Sequence, residues 1–285
     1  MGMLVSCVSV PPPVVDLPKP KIALVLGGGA ARGFAHIGVI RALEQEKIPI
    51  DMIVGTSVGS LIGAIYASDM NSFELEWTAF ALEKDSIFDY GIMNAFSGMG
   101  LANGAKLEEF VRTKIATPNI EDLKLPFVAV ATDLNRGTRV VLDRGSVAKA
   151  VHASSAVPGV FNPVEHQGRL LVDGGVMDNI PIAVAREKGA DIVIAVDISE
   201  NLANFNITNL VDVMLQAVNI MFNENVRYKK KEADVLITPH VGSVAMLDFT
   251  QKKRCMQAGI EATQKAMPEI RKKIEEWGKN KTAQK

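Results

Sequence analysis

The sequence predicts an α/β fold, a three-layer sandwich in which a central, mostly parallel sheet carries helices on both faces. Three observations predict it. Short β-rich apolar runs such as KIALVL (21–26) and DIVIAVD (191–197) read as strands buried on both faces. Segments with apolar residues at helical spacing alternate with such runs, and strand–helix alternation implies parallel strands joined by crossovers. Glycine is plentiful, at 23 residues, while aromatics make up only 6%, which suits tight strand-to-helix turns better than a β-sandwich.

The elements follow in order. Residues 21–26 form the first strand and stop at Gly27; residues 34–46 place Ile37, Ile40 and Leu43 on one helical face. Residues 51–54 are a second strand ending at Gly55, and 58–67 a helix of small and apolar residues. Residues 72–84 and 105–116 are helical. Between them lies a loop rich in Gly, Asn and Met. Its residues Ile92, Met93, Phe96, Met99 and Leu101 suit either a mobile pocket wall or a core loop. Residues 125–133 and 138–142 are strands joined at Asn135-Arg136-Gly137, a hairpin pattern. A helix at 146–155 stops before Pro158-Gly159; then come a strand at 169–172, a helix at 182–187 and a strand at 191–197. A long helix at 210–231, a strand at 234–238 and a helical region at 251–277 complete the chain. No internal repeat stands out. Residues 1–20 form a flexible Pro-rich leader and 21–285 a single domain.

Composition narrows the function classes. The formal net charge of −1 provides no global field for nucleic acid or an anionic surface, so no nucleic-acid partner is expected. The two cysteines, Cys7 and Cys255, cannot form a disulfide framework, and no CxxC pair suggests a zinc site. No run of about 18 apolar residues calls for a spanning helix. Leu4-Val5-Ser6-Cys7 resembles a bacterial lipobox with Cys7 as the lipidated residue, while Met1-Gly2 with Ser6 fits a myristoylation pattern. A leader carrying a chance cysteine is the plain alternative. The chain is therefore expected in the cytoplasm or peripherally on a membrane, or else anchored through Cys7. The tail 269–285 mixes Arg271, Lys272 and Lys273 with Ile274 and Trp277, a pattern of a solvated helix end or of one lying on a membrane.

The chemistry concentrates in glycine-flanked turns. Gly55-Thr56-Ser57-Val58-Gly59 is a G-x-S-x-G motif between an apolar strand and an apolar helix. There, Gly55 and Gly59 give the backbone room for a sharp turn that presents Ser57 as a nucleophile at the helix N-terminus. The plain alternative is Ser57 as a helix N-cap. Upstream, Gly27-Gly28-Gly29-Ala30-Ala31-Arg32-Gly33 joins the first strand to its helix as a nest of N–H groups. Its spacing is G-x-G-x-x-x-G rather than the dinucleotide G-x-G-x-x-G, and no acid ends the second strand to bind a ribose. A dinucleotide-dependent oxidoreductase is thereby disfavoured. The loop reads as an oxyanion hole of Gly27, Gly28 and Gly29, with Arg32 adding positive potential or fixing the loop.

A serine nucleophile needs a base. Among four histidines, only His240 follows the plausible acids; His36, His152 and His166 are more readily structural. Asp173, in Leu171-Val172-Asp173-Gly174-Gly175, ends a strand before two glycines. It either starts an Asx turn or reaches the serine.

GGGAARG (27–33), GTSVG (55–59), DGG (173–175) and ASSAVPGVF (153–161), in that arrangement, resemble the patatin-like phospholipase family over residues 21 to about 200. The resemblance implies a compact bacterial member with a Ser–Asp dyad and no catalytic histidine. Ser57 is then the nucleophile, Asp173 the base, and Gly27 to Gly29 with Arg32 the oxyanion loop. It implies hydrolysis of lipid acyl esters at a membrane surface, without a metal or cofactor. The glycine loop has one residue more than the family pattern, which leaves open which N–H groups face the oxyanion. A catalytically idle adaptor that kept the fold is the alternative in another function class.

Overall fold

The protein is described here by a computed structural model covering residues 19–87, 89, 100–199, 207, 208, 210–242 and 244–283. The elements of the first half are β1 (Ile22–Leu26), α1 (Phe34–Gln45), β2 (Met52–Thr56), α2 (Val58–Asp69), α3 (Ser72–Phe80), α4 (Lys84–Ile87), β3 (Gly100–Ala102), α5 (Ala105–Lys114), β4 (Phe127–Asp133) and β5 (Thr138–Leu142). The second half adds α6 (Val147–Ser154), β6 (Gly159–Phe161), β7 (Val164–His166), β8 (Arg169–Asp173), α7 (Gly175–Asp178), α8 (Ile182–Glu187), β9 (Ile192–Val196), α9 (Leu210–Lys229), β10 (Val235–Ile237) and α10 (Lys252–Ala283).

The main sheet runs β10-β9-β1-β2-β4-β8-β7, with β5 on the remaining edge of β4. The strands from β10 to β4 are parallel to one another. The hairpin strand β5 and the strand β8 are antiparallel to β4, and β7 is antiparallel to β8. Side chains alternate across the pleat. Ile22, Leu24 and Leu26 join the core under α1, α2 and α10, while Ala23 and Val25 face Ile182, Val184 and Val226 of α8 and α9. Both faces are thus covered, as the unbroken apolar runs require.

Some expected elements are redrawn. The helix read at 72–84 is two, α3 and α4. The Lys252 ammonium donates to the carbonyls of Phe80 (3.0 Å) and Leu82 (2.7 Å), capping α3 and turning Leu82 inward. The end of the loop read at 91–101 is strand β3, paired in parallel with β6; the rest of that loop, 91–99, lies outside the described residues, as do Cys7 and most of the leader. Strands β3 (GLA), β6 (GVF) and β7 (VEH) were not expected, for three residues carry little periodicity and none is a wholly branched-aliphatic run like the equally short β10 (VLI). Tail residues Ile274 and Trp277 pack against the core, and Arg271 pairs with Glu46, so this apolar stripe faces the protein.

The register at β4 positions the site. Thr56, the last residue of β2, pairs with Val130, and Asp173, the last residue of β8, pairs with Ala131. Because β5 occupies one edge of β4 along 129–133, β2 and β8 must share the other edge. They run in opposite directions and so meet end to end, carboxyl end to carboxyl end. The glycine loop follows β1, whose two neighbours are β2 and the much later β9. A switch in strand order of this kind opens a crevice at the carboxyl ends of the strands.

Helices α1 and α10 cross in direct backbone contact. A Cβ on Gly38 would intrude on the carbonyl of Met256, and one on Gly259 on the carbonyl of Ala35. Gly259→Ala is therefore expected to cost about 1–3 kcal/mol in urea unfolding, as overpacking of a tight core does.

Candidate active site

The turn from β2 into α2 holds Ser57 at φ 55° and ψ −128°, a strained conformation that costs on the order of 1–3 kcal/mol. The turn closes so tightly that a Cβ on Gly59 would intrude on the carbonyl of Leu26. Only glycine fits there, which explains the last position of the G-x-S-x-G motif. The Ser57 N–H donates to Ser154 Oγ at 2.9 Å, and Ser154 Oγ donates to the Val130 carbonyl at 2.6 Å. Ser60 Oγ donates to the Ser57 carbonyl at 2.6 Å. The serine backbone is thus held from both sides while its side chain faces a cavity.

Asp173 is wholly buried at the end of β8. Its main chain is anchored by its N–H to Ala156 O (2.9 Å) and by Thr132 Oγ1 donating to its carbonyl (3.0 Å). Of the carboxylate oxygens, Oδ1 accepts from the Gly175 N–H at 2.7 Å, an Asx-type contact, and Oδ2 accepts no well-formed hydrogen bond. The Ser57 hydroxyl bears on this carboxylate and favours its charged form, as does Gly175, but desolvation outweighs both and pushes the carboxyl up to about 7. Two residues 116 positions apart in sequence are brought together by the shared edge of β4.

The glycine loop lies directly over the serine, since a Cβ on Gly28 would stand 3.1 Å from Ser57 Cβ. Its first two N–H groups are used inside the protein. Gly27 donates to Val196 O (3.2 Å), and Gly28 donates to Asn179 through both the side-chain oxygen (3.1 Å) and the carbonyl (3.3 Å). Asn179 Nδ2 returns a bond to Gly28 O at 3.4 Å. Gly29 and Ala30 make no N–H hydrogen bond among the described residues, and Ala30, at φ 48°, lines the cavity with Ser57. Arg32 is buried away from that cavity, its Nη1 donating to Val244 O at 3.3 Å, while the Ala31 N–H bonds Met246 O. Arg32 thus fixes the loop against the segment before α10.

Asn179 and Ser154 are the residues that sequence reasoning missed. Asn179 is tied to Asp178, whose carboxylate is held by Arg139 (3.1 Å) and Lys229 (2.8 Å) and whose carbonyl accepts from Thr56 Oγ1 (3.0 Å). The only advance signal of Ser154 was its place in the 153–161 segment.

The cavity in front of Ser57 is almost wholly apolar, walled by Phe34, Leu61, Ile62, Val157, Phe161 and Leu215. Its open volume is about 70 Å³. None of the histidines lines it. His36 is buried, its ring N–H donating to Gly27 O (2.8 Å) from Nε2, and burial lowers its pKa to about 4. His152 bonds Glu108 through Nδ1 at 2.9 Å. His240 lies in a separate groove beside α10, with Glu261 and Lys265. Among the described residues no group of three or more His, Cys, Asp or Glu is placed to hold a metal ion, and no helix is long and apolar enough to cross a membrane.

Comparison with known proteins adds an independent line. The family model described as "Patatin-like phospholipase" matches residues 24–186. An uncharacterised NTE family protein of Mycobacterium tuberculosis is 39% identical over 181 residues, 64% of this chain and 50% of that protein. The lysophospholipase NTE1 of Scheffersomyces stipitis is 28% identical over 299 residues, 93% of this chain and 18% of that protein. Patatin-like phospholipase domain-containing protein 6 of Homo sapiens is 37% identical over 181 residues, 62% and 13% of the two chains. This chain spans half or less of the length of these relatives. Among solved structures, VipD of Legionella pneumophila superimposes with a TM-score of 0.52 at 15% identity, over 90% of this chain and 67% of VipD. ExoU of Pseudomonas aeruginosa, in complex with SpcU, gives 0.52 at 12% identity, over 90% and 53%. These establish a shared fold.

The raised Asp173 carboxyl has a stability signature. The folded protein holds the proton more tightly than the unfolded chain, so this contribution is complete below the ordinary value of 3.8 and lost as pH rises to about 7. Asp173→Asn keeps the acceptor for Gly175 and removes the buried charge. Thermal melts should show the variant several degrees more stable than wild type at pH 8, and the gap should close near pH 4.

Proposed function

We propose that this chain, which belongs to the patatin-like phospholipase family, is a serine acyl hydrolase that cleaves carboxylic esters of lipids. Ser57 serves as nucleophile and Asp173 as its base. The observation that carries this reading is the end-to-end meeting of β2 and β8, which sets the strained Ser57 hydroxyl against the Asp173 carboxylate at an apolar cavity.

In the first half-reaction Ser57 Oγ attacks the ester carbonyl carbon while the Asp173 carboxylate takes its proton. The carbonyl electron pair moves to oxygen, and the Gly29 and Ala30 N–H groups, aided by the N-terminus of α2, hold the resulting oxyanion. Collapse breaks the bond to the alcohol oxygen, which takes the proton from Asp173 and leaves, giving an acyl-Ser57. Water then attacks the acyl carbon, Asp173 accepts its proton, and Ser57 Oγ recovers that proton as the carboxylic acid departs. A base with a pKa near 7 suits this task, being about half ionised at neutral pH yet more basic than an ordinary aspartate. The apolar wall takes the acyl chain, which supports a lipid ester over a polar one. The name of the Scheffersomyces stipitis relative makes a lysophospholipid the first substrate to test.

On p-nitrophenyl butyrate and on a lysophospholipid, Ser57→Ala is expected to lower kcat/KM by about 10³ or more with the fold unchanged by circular dichroism. Retention of most activity would remove Ser57 from the mechanism. The wild-type kcat/KM should rise with pH through an apparent pKa near 7 and level off above it, the deprotonated Asp173 being the active form.

A further inference from the structure

Between Val213 and Asn223 helix α9 carries apolar residues on its outward face as well as its inward one, with Gln216, Asn219 and Asn223 as the polar positions. From 213 to 223 it reads VMLQAVNIMFN, eleven residues without a charge. Leu215, Val218 and Phe222 are buried against the protein, while Val213, Met214, Ile220 and Met221 point outward, Val213 and Ile220 about half exposed. A contiguous apolar patch on the surface marks an interaction site. Resting on the hydrolase reading above, we propose that the outward face of α9 is the surface by which this protein docks on a lipid bilayer, beside the cavity that takes its substrate.

Continuity with the cavity selects a bilayer as the occupant. Leu215 walls the cavity with Ser57. Its neighbour Met214 lies against Gly159, the residue before the wall residues Val160 and Phe161. Met214 therefore joins the cavity wall to the outward apolar face, and a lipid passing from a bilayer to Ser57 enters along apolar contacts. A protein partner on this face would instead cover that wall. The rest of the helix fits the headgroup layer. Tyr228 is 68% exposed with the Arg227 guanidinium 5.9 Å from its ring centre, and the exposed Lys230 and Lys231 follow. Glu224, exposed after the apolar stretch, is offset by Arg227 at 3.8 Å, so the apolar stretch, the interfacial tyrosine and Lys230 and Lys231 give the pattern of a helix lying in the interface, with attraction to anionic lipid.

The test uses the full chain and a triple variant, Val213→Ser with Ile220→Ser and Met221→Ser. All three positions are outward-facing and outside the cavity. Binding is read by co-sedimentation with phosphatidylcholine–phosphatidylserine vesicles, and activity both on lysophospholipid carried in those vesicles and on soluble p-nitrophenyl butyrate. The variant should lose about tenfold or more in vesicle partitioning and in vesicle-substrate hydrolysis, with butyrate hydrolysis unchanged. Wild-type binding and vesicle-substrate hydrolysis in the variant would overturn the proposal. So would a wild-type dimer on size-exclusion chromatography that the same substitutions dissolve while vesicle binding persists, since the face would then belong to a second copy. If wild type binds vesicles but hydrolyses neither ester, the hydrolase reading fails while the docking surface stands.

Discussion

One edge of β4 organises the candidate site. The parallel neighbour β2 uses that edge up to Val130, and the antiparallel neighbour β8 takes it over from Ala131. Two strands advancing from opposite directions along one hydrogen-bonded edge must end against each other. Their last residues, or the ones just beyond, therefore come together whatever their separation in sequence. Here those residues are Ser57 and Asp173. The backbone ladder fixes their relation, and the ladder in turn is buried between two helix layers. The site thus sits on a rigid scaffold, as a preorganised constellation requires.

Around that meeting point the chain accepts strain and buried charge that packing elsewhere must offset. Ser57 and Ala30 both hold positive φ without being glycine, and both border the cavity. Strained backbone that persists at a site is over-determined by its surroundings, and here the surroundings are specific. Ser154 and Ser60 hold the main chain of Ser57, while Asn179 and the segment at Val244–Met246 hold the glycine loop. Asn179 also links the two halves of the site mechanically, because it follows the Asp173 turn and grips Gly28. The ion pairs of Asp178 with Arg139 and Lys229 tie that turn to the hairpin and to α9, the helix that also walls the cavity.

Much of this was legible in the sequence. Strands β1, β2, β4 and β9 are apolar runs bounded by turns, and a parallel sheet follows from their alternation with helices. The Ser57 turn was legible because strand, G-x-S-x-G and helix are contiguous, so local sequence alone specifies the geometry. Asp173 was not legible from its surroundings, where an Asx turn explained it equally well; the observed Gly175 contact is indeed such a turn, and the Ser57 hydroxyl bears on the same carboxylate. Which N–H groups of the glycine loop stay uncommitted depends on Asn179, 151 residues from Gly28, and no local pattern reports so distant a partner. Arg32 could be read as a charge for the site, yet burial beneath Val244 makes it a fixture of the loop. The apolar outer face of α9 was hidden for a related reason, since apolar residues on two faces of one helix do not say which side the core will take.

The pairing of Ser57 with Asp173 is tested most directly by covalent labelling with a fluorophosphonate, followed by intact-mass and peptide analysis of wild type and Asp173→Asn. A single adduct is expected on Ser57, formed at least about a hundredfold more slowly in Asp173→Asn, which lacks the base that takes the hydroxyl proton as Ser57 attacks phosphorus. An adduct on another residue, or equal rates in the two proteins, would contradict it.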